Sequence, residues 1–462
     1  MRVTSVSITT TEAADTAGRP ALTPELLAAS GARYSRNNEG LEAILSRIDP
    51  TNLDKSVDSI FRMIDYGHQS IADMVPVAIF IDELSIILAY LVWSWCPTAG
   101  GQESSTRYIR LDRSGLVEPE MFGVPQPDHT EWFQLMDQCF ERYDTALAKW
   151  EELAIADPKL LRIPAALIND PSEKALKQVE RMRRNFAFDR ARYFLPAAAK
   201  TNMMMIMSAR GWIQLCQNLL SHWLPEARKL GQLIQQELHL NAPRMVKHAE
   251  KKDSFAAGHA RELLALTELV NQSESSVQAR LCEPEIELFL PPDIGEVDLV
   301  ASLLNHDNRY AYVGSAACRT SVRFSLSAVS LAEIRDLNRH RTGQKYCPLV
   351  SRGFYCALDQ VPDGHNLLSD PLYEEVPRVA IMRSQRALAN GDSSFLAWLL
   401  LGTQFYFEHS TTLDKFVYEA ELRTGTGAHY RYANHLRGLV SKLEERYPKL
   451  SSCIQLGSHE PE

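Results

Sequence analysis

Apolar residues crowd the segment VPVAIFIDELSIILAYLVWSWC, Val75 to Cys96, with two acids, Asp82 and Glu83, near its centre. At mid-bilayer an acid costs roughly 2.5–3.5 kcal/mol, so a membrane span is the poorer reading. The pattern predicts a short strand from Val77 to Ile81, an acidic helix start and a buried helix ending near Trp95. Upstream, LDKSVDSIFRMIDY (Leu53 to Tyr66) has helical periodicity and is stopped by Gly67, with His68 following in GHQS. Periodicity predicts further helices over 130–155 and from Glu173 to Phe186. ARYFLPAAAKTNMMMIMSARGWIQLCQNLL, Ala191 to Leu220, predicts a loop and then a long, mostly buried helix. From about Lys247 to Gln278 small and charged residues form no strong core pattern, which suggests a helical linker.

After that linker the pattern restarts. PEIELFLPPDIGEVDLVASLL offers an edge-like strand and a helix, as MRVTSVSIT and LTPELLAAS do at the N-terminus. SVRFSLSAVSLAEIRDLNRHRTGQ alternates over Val322 to Leu326. Ser330 and Glu333 then have capping-box spacing, opening a helix that runs into Arg339, His340 and Arg341. ELRTGTGAHYRYANHLRGLVSKLEERYP predicts an amphipathic helix matching PEARKLGQLIQQELHLNAP of the first half. The fold class expected is α/β (α+β), two repeats forming an intramolecular pseudo-dimer: residues 1–246, a linker over 247–282, and residues 283–462.

At 462 residues the chain has room for two or three domains, and 45% hydrophobic with 23% charged residues suits a folded globular protein. A net charge of −9 argues against nucleic acid as partner. Eight cysteines without CxxC spacing imply a reducing compartment, with neither disulfides nor a metal site. MRVTSVSITTTEAADTAG carries acids and is no signal peptide, so the expected location is cytoplasmic, away from membranes. GxGxxG and Walker loops are absent from the sequence.

Candidate chemistry concentrates in two places. GGQESSTRYIRL, 100–111, combines hydroxyls, an arginine and a carboxylate behind two glycines that permit close backbone approach, a composition suited to phosphate. Arg339, His340 and Arg341 present two guanidinium forks and an imidazole at a helix end. Each stretch also has a plainer explanation, as a solvated loop or as cations interacting with a helix dipole.

Taken together, RHR and Gln102-Glu103-Ser104-Ser105-Thr106-Arg107-Tyr108 resemble the RHR…N-E-x-S-x-R-Y signature of the flavin-dependent thymidylate synthase (ThyX) family, split between the repeats. The first repeat has Trp95-Cys96-Pro97 in place of RHR, and the second lacks E-x-S-x-R-Y after its RHR. Gly67-His68-Gln69-Ser70 resembles the family's G-H-x-[ST], Ala191 to Pro196 its A-R-x-x-L-P, Ser208-Ala209-Arg210 its N-A-R, and Leu422-Arg423 its late L-R, where the first repeat has Leu219.

The resemblance implies reductive C5 methylation of dUMP with FAD, NADPH and methylenetetrahydrofolate, at one composite site between the repeats. It implies Arg423 as the catalytic group polarising the pyrimidine. By the same resemblance Glu103, Ser104, Ser105, Thr106, Arg107, Arg192, Asp336, Arg339 and Arg423 are expected to bind the nucleotide. His68, Ser70, Glu103, Ser208, Arg210, Gln214, Arg339, His340 and Arg341 resemble the family's flavin contacts and are expected to bind the flavin. Asp336 stands where the family usually has Gln and suits a sugar hydroxyl better than a phosphate, which leaves other uridine nucleotides open as substrates. A homodimer of pseudo-dimers would reproduce the family's four-unit assembly. WCPT, YCPL and FYCA lack the P-C-H context of the cysteine-type synthases, so no cysteine is given a covalent role. A non-catalytic flavin- or nucleotide-binding pseudoenzyme is the alternative.

Overall fold

The computed structural model describes residues 1–8, 11–18, 20–35, 40–48, 52, 57–58, 60, 70–272, 278–363 and 372–458. Most of the helix expected over Leu53 to Tyr66, and His68 after it, lie outside the described residues. The chain forms two compact units, each mixing helices with an antiparallel sheet. The first comprises Met1–Ser104, Glu120–Gly123 and Lys200–Leu263, and the second Ser105–Pro119, Val124–Ala199 and Leu264–Glu462. Among the described residues no helix is long and apolar enough to cross a membrane.

In the first unit β1 (Arg2–Val6), β2 (Pro76–Ser85), β3 (Gly100–Glu103) and β4 (Lys200–Ser208) pair antiparallel in the order β1-β2-β4-β3. Asp82 and Glu83 do not open a helix, contrary to the expectation from their charge. Both lie in β2, where Glu83 adopts φ 61° and the register shifts between Ile81 and Leu84. This bulge turns the strand, and Arg2 on β1 holds Asp82 at 2.6 Å. The helix Ile86–Trp95 starts one step later, where the Ser85 hydroxyl accepts from the Leu88 amide at 3.1 Å.

A second correction concerns the methionine run. Lys200–Ser208 is the strand β4, and the helix Ala209–Ser221 begins only after Ser208, its N-cap. Methionine favours helices, but a strand bonded on both edges satisfies its whole backbone. Burial follows the strand period: Thr201, Met203 and Met205 are buried while Asn202 and Ile206 are exposed. Gly101, at φ 152°, lets β3 come close to β4, since a Cβ there would collide with the Met204 carbonyl and with Trp93. That glycine therefore serves sheet pairing rather than ligand approach.

In the second unit β5 (Pro284–Phe289), β6 (Ser321–Ser330), β7 (Gln344–Tyr346) and β9 (Thr403–Thr412) follow the order β5-β6-β9-β7, and β8 (Gly353–Phe354) also pairs β9. Here too the strand before the capped helix is bulged, between Leu326 and Val329. The expected capping box is present, with the Ser330 hydroxyl donating to Glu333 at 2.8 Å. The helix it opens, Leu331–Leu337, stops short of Arg339, so the RHR stretch lies in the turn beyond rather than on the helix.

Two long helices, His129–Ala156 and Glu173–Ala191, pack side by side in this unit. The second runs five residues past the expected Phe186. Its last turn is locked by Arg190, whose guanidinium lies 3.5 Å from the Phe186 ring centroid and 4.4 Å from that of Tyr430. The chain then makes a tight turn, Arg192–Phe194, and is clamped by backbone bonds from Gly402 to Tyr193 at 2.7 Å, from Leu401 to Leu195 at 2.8 Å and from Ala197 to Leu399 at 2.8 Å. These bonds give Arg192 a fixed origin. Within the segment expected to be a helical linker, Asp253–Asn271 is helix.

Candidate functional site

The second unit gathers side chains from far apart in sequence around one buried carboxylate. The loop Ser105–Tyr108 is a turn, with the Tyr108 amide donating to Ser105 O at 3.2 Å and the Arg107 amide to Ser105 Oγ at 3.2 Å. The Arg107 side chain folds inward. Its Nε and Nη2 grip both Asp189 oxygens at 2.8 Å, and Nη1 donates to Gly427 O at 3.2 Å. Burial opposes the charge on Arg107, but Asp189 and the more distant Asp336 outweigh it and raise its pKa.

Arg192, only 1% exposed, donates from Nη2 to Asp336 Oδ2 at 3.1 Å and from Nη1 to Thr106 Oγ1 at 3.5 Å. Its buried Nε has no partner. Arg335 reaches the same Thr106 hydroxyl at 3.5 Å, and Arg339 Nε lies 3.8 Å from Asp336 Oδ1. Arg423, from the helix Leu413–Thr424, donates from Nη2 to the Asp336 carbonyl at 3.1 Å. Burial alone would favour the acid form of Asp336, but Arg192, Arg339, Arg107 and Arg423 hold its pKa far below the carboxylate range. Four guanidinium groups, of Arg107, Arg192, Arg339 and Arg423, thus act on two carboxylates, Asp189 and Asp336, and a fifth, of Arg335, reaches the Thr106 hydroxyl. That surplus of positive charge, with Ser105 and Thr106 hydroxyls beside it, is chemistry for an anion.

His340 is buried and accepts a 2.6 Å bond from Arg423 Nε at its Nε2. Burial, together with the Arg423 charge, holds its pKa down to about 4, so it is neutral at pH 7 and Arg423 is oriented by it. The His340 carbonyl accepts from Lys345, whose pKa is lowered by burial to about 8. Behind it Glu419 lies 3.2 Å from His409 Nδ1, and despite burial the neighbouring His340 and His409 rings, with Lys345, keep its pKa at about 2. Arg341 is partly exposed beside this cluster in sequence, and Arg339 is 37% exposed.

Next to the arginine cluster, helix Leu331–Leu337 also carries Glu333. Tyr193 donates to it at 3.0 Å, and Arg431 and His435 each lie 3.2 Å from its Oε2. Burial works against ionisation of Glu333, but Arg431, His435 and Ser330 together hold its pKa at about 2.

The remaining expected residues belong to the first unit. Ser104 donates its amide to Asn202 O at 2.9 Å, and Glu103 on β3 accepts from Trp93 Nε1 at 3.2 Å. Ser208 caps the helix Ala209–Ser221 through the Gly211 amide at 3.2 Å, and Arg210 pairs with Asp73 at 2.9 Å. Ser70 and Gln214 are exposed. Trp95 packs against the rings of His222 and His259 at 5.2 and 5.8 Å.

Asp189, Arg335, Glu333 and Arg431 had no place among the expected site residues. Asp189 and Arg192 are spaced i, i+3 at a helix end, a signal that could have pointed to the first of them. Nothing in the local sequence ties Glu333 to a residue about a hundred positions later.

Residues 21–244 match the profile of the family described as thymidylate synthase complementing protein. The UPF0159 protein Ta1429 of Thermoplasma acidophilum is 23% identical over 475 aligned positions, covering 92% of this chain and 93% of that protein. A crystal structure of PolB, a UMP/dUMP methylase from Streptomyces cacaoi bound with 5-Br dUMP, aligns at 14% identity over 53% of this chain and 93% of its own, with a TM-score of 0.32. Over residues 21–244, then, the chain is similar to the thymidylate synthase complementing family.

Proposed function

We propose that this protein methylates C5 of a pyrimidine nucleoside monophosphate, with dUMP as the first substrate to test, at one site composed of the Ser105–Arg107 loop, Arg192, the stretch Arg335–Arg341 and Arg423. The observation that carries this reading is the convergence of four guanidinium groups on Asp189 and Asp336, with Arg335 at the Thr106 hydroxyl and Ser105 beside it. A phosphate monoester matches that surplus in charge and in hydrogen-bond demand, and Arg192 Nε is a buried donor without a partner. The family match over 21–244 supports the reaction class.

The two sheets share their strand order and the bulge before a serine-capped helix, which supports two repeats, 1–246 and 283–462, joined by 247–282. In this reading the first repeat supplies the hydroxyl loop and the second the late arginine. Trp95-Cys96-Pro97 then marks the equivalent site that decayed, and two chains pair as a homodimer in the cytoplasm.

Flavin fits this donor set in part. Arg339 and Arg341 have the charge and exposure for a diphosphate, whereas His340 Nε2 is engaged by Arg423. FAD, reduced by NADPH, supplies the hydride chemistry when bound, with methylenetetrahydrofolate as carbon donor. The chain's own part is placement and charge: Arg423, fixed by His340 and the Asp336 carbonyl, favours negative charge on the pyrimidine.

A non-catalytic nucleotide-binding role is the second reading. It is favoured by Arg107, all of whose guanidinium nitrogens are already bonded to Asp189 and Gly427. Purified protein with a band at roughly 450 nm and turnover of dUMP or UMP bears out the first reading. Nucleotide binding without turnover in the presence of FAD, NADPH and methylenetetrahydrofolate bears out the second.

A further inference from the structure

The helix Leu413–Thr424, which carries Arg423, is held at its far end by a later segment, Gln455–Gly457. Two residues before Arg423, the buried Glu421 accepts from His306 Nε2 at 2.9 and 3.0 Å and from the Gln455 amide at 2.9 Å. The Gln455 side chain returns to the His306 carbonyl and closes this ring of contacts. One residue after Arg423, the fully buried Thr424 accepts the Gly457 amide at its Oγ1 at 3.0 Å. The Gly457 carbonyl accepts in turn from Arg437, on the helix Tyr430–Arg446. The segment therefore ties together the two helices that flank the turn Gly425–His429. That turn supplies the Gly427 carbonyl to Arg107 at 3.2 Å and the His429 ring to the Asp189 carbonyl at 3.3 Å.

Gly457 is a glycine for want of space. A Cβ on it would stand 2.6 Å from Gly425 Cα and 2.7 Å from the Thr424 carbonyl oxygen, whereas non-bonded carbons settle at roughly 3.5–4.0 Å. A larger residue therefore moves the segment or the helix end by about 1 Å. That displacement bears on Arg423, which spans from the helix end to His340 Nε2 at 2.6 Å and to the Asp336 carbonyl at 3.1 Å. Arg192 and Arg107 are anchored instead by Asp336 and Asp189.

We infer that Gln455–Gly457, together with His306, is a latch that sets the reach of Arg423 toward the pyrimidine, so that Glu421, Thr424 and Gly457 are positioning residues for the methylation step. The inference rests on the reading of the site proposed above. The latch governs the step in which charge develops on the pyrimidine, and capture of the nucleotide phosphate is left to Arg192 and Arg339. Loosening it accordingly slows turnover without releasing the nucleotide.

The test compares full-length wild type with Gly457→Ala, Thr424→Val and Thr424→Ser. It reads dUMP affinity by calorimetry, kcat and KM for dUMP with FAD, NADPH and methylenetetrahydrofolate, and the Arg423 Nε–H signal by NMR of protein with isotope-labelled arginine, assigned through Arg423→Lys. Gly457→Ala and Thr424→Val are expected to shift or lose that signal. They lower kcat about tenfold or more, toward the roughly hundredfold cost of a 1 Å misplacement, while the dissociation constant of dUMP stays within about threefold. Thr424→Ser keeps the hydroxyl that Gly457 bonds, and it restores both signal and kcat. An unshifted signal with kcat within about twofold of wild type in Gly457→Ala overturns the inference, and so does a serine variant as impaired as the valine one. Should Gly457→Ala fail to fold, the two Thr424 variants decide the matter. Should wild type leave dUMP unchanged, the methylation reading falls, and the Arg423 signal alone decides on the latch.

Discussion

Replacing Asp336 with Asn removes one negative charge from the centre of the arginine cluster and leaves the shape nearly intact. In the wild type this carboxylate meets Arg192 at 3.1 Å and Arg339 at 3.8 Å, in a site where Arg192 is 1% exposed. Truncating one partner of a buried ion pair costs about 3–5 kcal/mol, because the other charge stays buried without compensation. Asn keeps an acceptor for Arg192, so the lower figure, about 3 kcal/mol, applies. The same change should tighten a phosphate ligand. At a separation of roughly 6 Å and an effective dielectric of about 20, the repulsion removed is ~3 kcal/mol. Part of this is lost to looser arginines, leaving a gain of at least about tenfold in affinity.

Urea unfolding and calorimetric titration with dUMP measure the two effects on one preparation. The variant is expected to be less stable alone and to recover most of that loss at saturating dUMP. The sign with pH is definite: a carboxylate with a depressed folded pKa contributes its stability above the unfolded value and loses it only as pH falls through the folded one. Wild type should therefore show no loss from Asp336 between pH 8 and 5. A variant as stable as wild type that binds dUMP within twofold of it refutes the charge-compensation argument.

Arg423→Ala should abolish methylation while retaining bound flavin, and should raise the pKa of His340 above about 4 as its cationic neighbour goes, read by NMR titration of the ring. Normal turnover in that variant would refute the role of Arg423. Glu226 in the first unit is fully buried against Ser85, and burial raises its pKa to about 7. Because the folded state holds that proton more tightly, stability is greatest below the unfolded pKa and is lost as pH rises through about 7. Glu226→Gln should accordingly flatten the stability difference between pH 5 and 8, and an unchanged profile would count against it. Gly101→Ala should cost ~1–3 kcal/mol and expose the β3 amides to hydrogen exchange, since φ 152° and the Met204 carbonyl leave no room for a Cβ. Wild-type protection there would show that the strand pairs without the glycine.

Edge strands, the capping box at Ser330 and Glu333, and the long helices were legible along the chain, because caps and amphipathic periods are local. The methionine strand was not. Its helix-favouring residues were overruled by pairing with β2 and β3, partners a hundred or more positions away. Asp82 and Glu83 misled for a related reason: acids favour a helix start in general, and only a bulge, visible in the pairing register, shows that the strand continues through them.

The same division holds for the site. Residue types alone pointed to Arg107 in its hydroxyl-rich loop and to Arg339 in RHR, whereas Arg192, Asp336 and Arg423 entered only through the resemblance to a family's motifs. That Asp189 takes up Arg107, that Asp336 is held by Arg192, and that His340 serves Arg423 were decided by folding, which brings residues 107, 189 and 427 within one hydrogen-bonded group. Charge balance depends on distance in space, and a one-dimensional string does not carry that distance.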